Sequence, residues 1–287
     1  MGFNPTAIRF FLSTNSEFAK NPKTLVLGHQ AFTPTLWLLF QLKRKQLVKE
    51  WKKLSYIDDF LECSGILRVD YLDNSSYEGA NILHDLGQPV PQNLVDTYDL
   101  VMDAGTLEHV PDFLTALSNT KKMVKVGGYL FIIAPANNFL GHGCYQLSPE
   151  IFHRALALDQ GFNIEYSILH VEGFFGGRWI NIPDSSGINQ RLSISTKKAT
   201  YICILARKIS DHNTKIRNQS DYEAAWTVGN QISRLGSLYL KASYPVQRIL
   251  NLLILNRKHA WKARQLIKRL PVQGVLRLPL LQESKSN

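Results

Sequence analysis

Five stretches of this chain end in residues able to hold or activate a ligand. Thr24 to Gly28 (TLVLG) closes on a glycine, which lets a ligand approach the backbone. Ile66 to Leu72 (ILRVDYL) runs into Asp73, with Asp70 just upstream. A carboxylate at that point can accept two hydrogen bonds from the adjacent hydroxyls of a ribose. Ala80 to Leu83 leads to His84-Asp85, where a carboxylate can accept from an exocyclic amine such as that of adenine. Tyr98 to Asp103 (YDLVMD) opens into Asp103-Ala104-Gly105-Thr106-Leu107-Glu108-His109, and Tyr129 to Pro135 (YLFIIAP) precedes Gly141-His142-Gly143. Each has a plain reading as a turn glycine, a solvated turn carboxylate, a helix cap or a loop histidine. Acidic groups recurring at successive strand ends point instead to one ligand site.

The elements that must position these groups follow from the pattern. Short aliphatic and β-branched runs at 24–28, 66–72, 80–83, 98–103 and 129–135 are expected strands. Helical patterns lie at 33–51 and 110–126, the second with Asp112 at its first turn and Gly127-Gly128 at its end. Ser148-Pro149-Glu150 starts a further helix, with Ser at the cap and Pro at the first position, and Gly161 closes it. Asn163 to Val171 and Ala199 to Ile209 are two late strands, separated by a glycine-rich excursion from Gly173 to Gln190. This alternation predicts an α/β fold: a Rossmann-like, doubly wound, mostly parallel sheet with an antiparallel edge strand. In such sheets ligands bind at the carboxyl ends of the strands, near the switch in strand order.

The dinucleotide fingerprint GxGxxG is absent, and Gly28 to Asp73 far exceeds the roughly 20 residues expected between glycine loop and ribose carboxylate, which counts against a nicotinamide enzyme. The 3 cysteines, Cys63, Cys144 and Cys203, are scattered, so neither a disulfide framework nor a CxxC zinc site is expected, and no metal. With no secretory signal and no apolar run near the roughly 20 residues of a membrane span, a reducing cytoplasm is the expected setting.

The order TLVLG, VDYLD, ILHDLGQPVP, YDLVMDAGTLEHV and GGYLFIIAP resembles the motif series of class I S-adenosylmethionine-dependent methyltransferases. The stretch YDLVMDAGTLEHVPD is similar to the fourth-strand region of the type 11 and related families. The stretches SSYEGA and GHGCYQLSPE resemble bacterial methyltransferase-like proteins, several of them associated with surface polysaccharides or secondary metabolites. The likeness covers about 23–209 and departs at His29 and Gln30, which stand where a second glycine is usual. It implies S-adenosyl-L-methionine as cofactor: Gly28 against its methionine part, Asp73 or Asp70 on the ribose, and Asp85 with the Leu86 backbone at adenine. Asp103, Ala104 and Gly105 would lie beside the sulfonium. O-methylation of a small molecule or glycan is the implied activity, with His142 as the base and His109, Tyr145 and Arg178 toward the substrate. A non-catalytic binding protein of the same fold is the alternative. The excursion Gly173 to Trp179 can be a substrate lid or an ordinary loop.

The net charge of +10 is concentrated. Between Ala224 and Gln282 the chain has ten Lys or Arg and no Asp or Glu. A division into a domain at 1–210 and a basic helical appendage at 211–287 is expected. The tail pattern fits a helix packed on the domain with a solvated face, or a basic amphipathic helix on an anionic membrane surface. Nucleic acid has only the charge in its favour, with no binding motif.

Overall fold

The protein is seen in a computed structural model that describes residues 2–49, 55–173, 176–184, 194–211, 216 and 219. Strands β1 (Lys23–Leu27), β2 (Arg68–Asp73), β3 (Ile82–Leu83), β4 (Tyr98–Asp103), β5 (Val124–Asn137), β6 (Phe162–Val171), β7 (Arg178–Asn181) and β8 (Thr200–Lys208) form one sheet in the order β3-β2-β1-β4-β5-β8-β6-β7. Strands β1 to β5 pair in parallel, whereas β8 runs antiparallel to both β5 and β6. This is the Rossmann-like sheet anticipated from the alternation. Strand order reverses between β1 and β4, so the ends of these two strands diverge into a crevice.

Alternate residues of the central strands feed two cores. Leu25, Leu27, Val101, Leu130, Ile132, Ile202 and Ile204 face one side, where they pack with Phe113, Ala116 and Leu117 of helix α4 (Phe113–Met123) and Phe152 of α5 (Pro149–Ala155). Val26, Leu100, Met102, Phe131, Ile133, Cys203 and Leu205 face the other side. There they meet α1 (Pro5–Thr14), α2 (Leu36–Arg44) and α3 (Asp58–Cys63). Strands with helices on both faces are buried on both faces, which is why YLFIIAP is a continuous apolar run.

Helix α1 escaped the sequence reading, although its signals are present. Asn4 caps it, accepting from the Thr6 and Ala7 amides at 3.0 and 3.1 Å, and Pro5 occupies the first turn. Its buried Phe10 and Phe11 pack on Phe131 with ring centroids 5.1 and 6.3 Å away. Asp112 caps α4, accepting from the Thr115 amide, and Ser148 caps α5.

Three expectations need correction. Helix α4 ends at Met123, and Gly127-Gly128 lies inside β5 rather than closing the helix. A side chain at Gly128 would come within 2.9 Å of the Asp99 carbonyl oxygen, so the glycine allows close backbone approach where the β4–β5 register shifts. Gly161, in the left-handed region at φ 78°, follows a short 3-10 turn at Leu158–Gln160 instead of α5 itself. The glycine-rich excursion contains β7, which pairs with β6 and forms the sheet edge. Phe174 and Phe175, central to the lid reading, lie outside the described residues, as do the basic stretch from 224 to 282 and nearly all of the appendage. Among the described residues no helix is long and apolar enough to cross a membrane.

Candidate functional site at the strand-order switch

A hollow of about 460 Å³ opens over the ends of β1, β2, β3 and β4, within the usual size for a small-molecule site. Its walls include Gly28, Leu72, Asp73, Asp85, Leu86, Gly105, Thr106 and His109. Parallel pairing of β1 with both β2 and β4 sets Leu27 level with Leu72 and Asp103, so three strands end together. The His84 amide donates to the Asp73 carbonyl at 2.9 Å and carries Asp85 to the same rim.

Gly28 adopts φ +69°, where a side chain is strained. A Cβ there would meet Thr106 Oγ1 at 3.0 Å and Asp73 Oδ2 at 3.6 Å. Asp73 Oδ1 accepts from the Ser75 amide at 3.1 Å, and Asp85 Oδ1 accepts from the Gly87 amide at 2.8 Å. Each turn therefore holds its carboxylate through one oxygen. Leu86 is buried, and the Asn119 side-chain amide donates to the Leu86 and Gln88 carbonyls at 2.8 and 2.7 Å. That buried mid-helix asparagine fixes the Asp85–Gln88 turn to α4, a positioning role that chain reading missed.

His29 and Gln30, which follow Gly28, also line the hollow. The His29 ring stacks on Tyr56 at 4.0 Å, with its two nitrogens facing the Glu78 carbonyl and the Asp58 carboxylate. The buried Gln30 amide turns back to donate to the Leu27 carbonyl and to Thr106 Oγ1.

Several anticipated site residues stand elsewhere. Asp70 is away from the hollow; its carboxylate accepts from Tyr98 Oη at 2.9 Å and from Asn81 Nδ2 at 2.8 Å. Asp103 and Ala104 are buried beneath the wall, so only Gly105 of that trio lines it. Asp103 Oδ1 instead accepts from the Thr106 amide at 2.8 Å and holds the turn. Tyr145 Oη donates to the carbonyl of Pro111, itself a wall residue, while Tyr145 does not line the hollow. Arg178 is exposed at the start of β7, with β5, β8 and β6 between it and the switch. The excursion's Trp179 is buried and stacks on His170 at 4.1 Å.

The residue that sequence reading passed over is Glu108. Its side chain is 0% exposed, and among the described residues neither carboxylate oxygen has a hydrogen-bond partner. Burial, reinforced by the nearby Asp103, raises its pKa. Burial likewise raises that of Asp103, against the pull of backbone amides from Thr106 and Leu107. His109 Nε2 and His142 Nε2 lie 3.9 and 3.8 Å from Glu108 Oε1. Burial lowers the pKa of both imidazoles. Of the pair, only His109 lines the hollow. Gly143 makes the approach possible: at φ +72°, a side chain there would come within 3.0 Å of Glu108 Cγ. Glu108 lies inside the DAGTLEH motif, but only the packing of the Gly141-His142-Gly143 loop reveals its burial.

No family model matches the chain, and no curated protein matches it. Among solved structures it is similar to the CMeT domain of the citrinin polyketide synthase, at 10% identity and a TM-score of 0.40, over 73% of this chain and 52% of that one. The likeness therefore spans about half the length of that protein. A Burkholderia thailandensis 1,6-didemethyltoxoflavin-N1-methyltransferase, solved with S-adenosylhomocysteine, shows 14% identity and a TM-score of 0.38 over 72% of this chain and 79% of that one. A branched-chain polyamine synthase from Thermus thermophilus, solved with 5'-methylthioadenosine, shows 16% identity and a TM-score of 0.40 over 77% of this chain and 61% of that one.

Proposed function

We propose that this chain is an S-adenosylmethionine-dependent methyltransferase acting on a hydroxyl of a small molecule or glycan. The observation that carries the reading is the convergence of Gly28, Asp73 and Asp85, from three successive strand ends, on one hollow at the strand-order switch. Asp73 is suited to the ribose hydroxyls, because its Oδ2 faces the Gly28 turn while Oδ1 is anchored. Asp85 and the Leu86 turn suit the adenine edge, and the bare Gly28 backbone suits the amino acid end.

S-adenosylmethionine, when bound, would supply a sulfonium methyl for in-line transfer to an acceptor oxygen, the S–C electron pair going to the departing thioether sulfur as the C–O bond forms. The residues of this chain then have two tasks. Gly28, Asp73 and Asp85 orient the donor, so that alignment replaces random encounter. The wall around Gly105 and His109 receives the acceptor, whose hydroxyl proton must leave. The Glu108, His109 and His142 group lies on that side.

Titration calorimetry with S-adenosylhomocysteine tests the reading. One-site binding is expected, followed by methylated product from an acceptor panel. Absence of binding at millimolar ligand by folded protein refutes it, whereas binding without product from any acceptor favours the non-catalytic alternative.

A further inference from the structure

At the wall of the hollow, two histidines and a glutamate from separate segments meet. Glu108 and His109 sit in the 3-10 turn after β4, and His142 comes from the loop after β5. One ligand-capable atom from each lies within 4.8 Å of the others. A tetrahedral site with bonds of about 2.1 Å has ligand atoms roughly 3.4 Å apart. The Glu108–His109 and Glu108–His142 separations of 3.9 and 3.8 Å are thus a small contraction away from that spacing.

Two further observations point to a missing partner. The Glu108 carboxylate is wholly buried, and among the described residues neither oxygen accepts a hydrogen bond; its nearest charged or chargeable neighbours are the two imidazoles. His142 Nε2, the nitrogen that faces it, is also buried without a partner. Burying a carboxylate without hydrogen bonds or a counter-charge is costly, and such groups are normally paired or bound to metal.

We propose that Glu108, His109 and His142 form a binding site for a divalent first-row transition cation. Two imidazoles and one carboxylate suit zinc, manganese, iron(II) or cobalt(II), whereas magnesium and calcium favour oxygen donors. Three protein ligands leave coordination positions open, and His109 places the site at the hollow's wall. Resting on the methyltransferase reading, the cation would hold the acceptor oxygen and lower the pKa of its hydroxyl. His142 then serves as a ligand instead of the base anticipated for it, and the expectation of no metal is replaced. The sequence hid this set because His142 is far along the chain from Glu108-His109, outside any short metal-binding spacing.

The test is titration of chelator-treated full-length protein with cobalt(II), followed by visible absorption and calorimetry. About one equivalent is expected, with a d–d band and no thiolate charge-transfer band. Glu108→Gln and His142→Gln are each expected to weaken binding at least about 100-fold, the upper range for disturbing even an outer-shell partner. Circular dichroism checks that both variants fold. Unchanged affinity in both folded variants overturns the site, and a thiolate band overturns the ligand set by implicating the neighbouring Cys144. S-adenosylhomocysteine binding in the same samples reads the hollow separately. No cobalt binding with S-adenosylhomocysteine binding intact overturns the metal site alone. Cobalt binding without it supports the metal site and refutes the cofactor assignment.

Discussion

Replacing Asp73 by Asn separates its ligand-facing role from its structural one. The turn needs only Oδ1, which accepts from the Ser75 amide at 3.1 Å, and an asparagine oxygen can keep that bond. Fold stability should therefore change by less than about 0.5 kcal/mol, as for an ordinary surface substitution. The second position changes from a charged acceptor to an amide donor, which opposes a ribose hydroxyl. Hydrogen bonds to charged groups contribute about 1.5–3 kcal/mol. Because Asp73 is half-buried and partly screened by water, a loss near 2 kcal/mol is expected, or about 30-fold in affinity for S-adenosylhomocysteine. Calorimetry at fixed salt measures this, and urea unfolding measures stability. Asp70→Asn should show the reverse. Its two oxygens hold Tyr98 Oη and Asn81 Nδ2, so stability falls by about 1–2 kcal/mol while affinity stays near wild type. If Asp73→Asn binds within about threefold of wild type while Asp70→Asn loses binding, the ribose assignment is wrong.

Two further outcomes are expected. Gly28→Ala forces an alanine into φ +69° and sets its Cβ 3.0 Å from Thr106 Oγ1, which is held by the Leu27 carbonyl at 2.8 Å. Melting curves should show a loss of about 1–2 kcal/mol, with cofactor-product affinity more than about tenfold weaker; unchanged values for both would contradict the close packing described. Buried His170, with Nδ1 near Thr6 Oγ1 at 2.8 Å and Nε2 near the Gly176 carbonyl at 3.0 Å, has its pKa lowered to about 4, chiefly by burial. Its neutral form is favoured in the fold, so it costs nothing above its unfolded pKa of about 6.5; stability falls as pH drops from there toward 4, by at most about 3 kcal/mol. Urea unfolding between pH 7 and 4 should show this decline in the wild type and a shallower one in His170→Gln; parallel curves would mean that His170 does not titrate as described.

Much of the site was legible because parallel strands end at one edge of the sheet. A carboxylate just after β2 and another just after β3 must approach each other once the strands pair, and the chain marks both by composition. Asp70 was ambiguous, since a step along a strand changes face and depth, and only the pairing of β2 and β4 on either side of β1 places it near Tyr98. Arg178 looked like a loop residue because its run is short and flanked by glycines. Pairing with β6 makes it an edge strand.

From the chain alone came the alternation of strand and helix, the helix caps at Asp112 and Ser148, and the acidic strand ends, since propensity, capping and period depend on near neighbours. Tertiary structure decided where the strand order reverses, that α1 covers the Phe131 face, and that Glu108 is sealed from water beside His142. Burial and convergence belong to the neighbours that packing supplies, and those neighbours lie far apart in the chain.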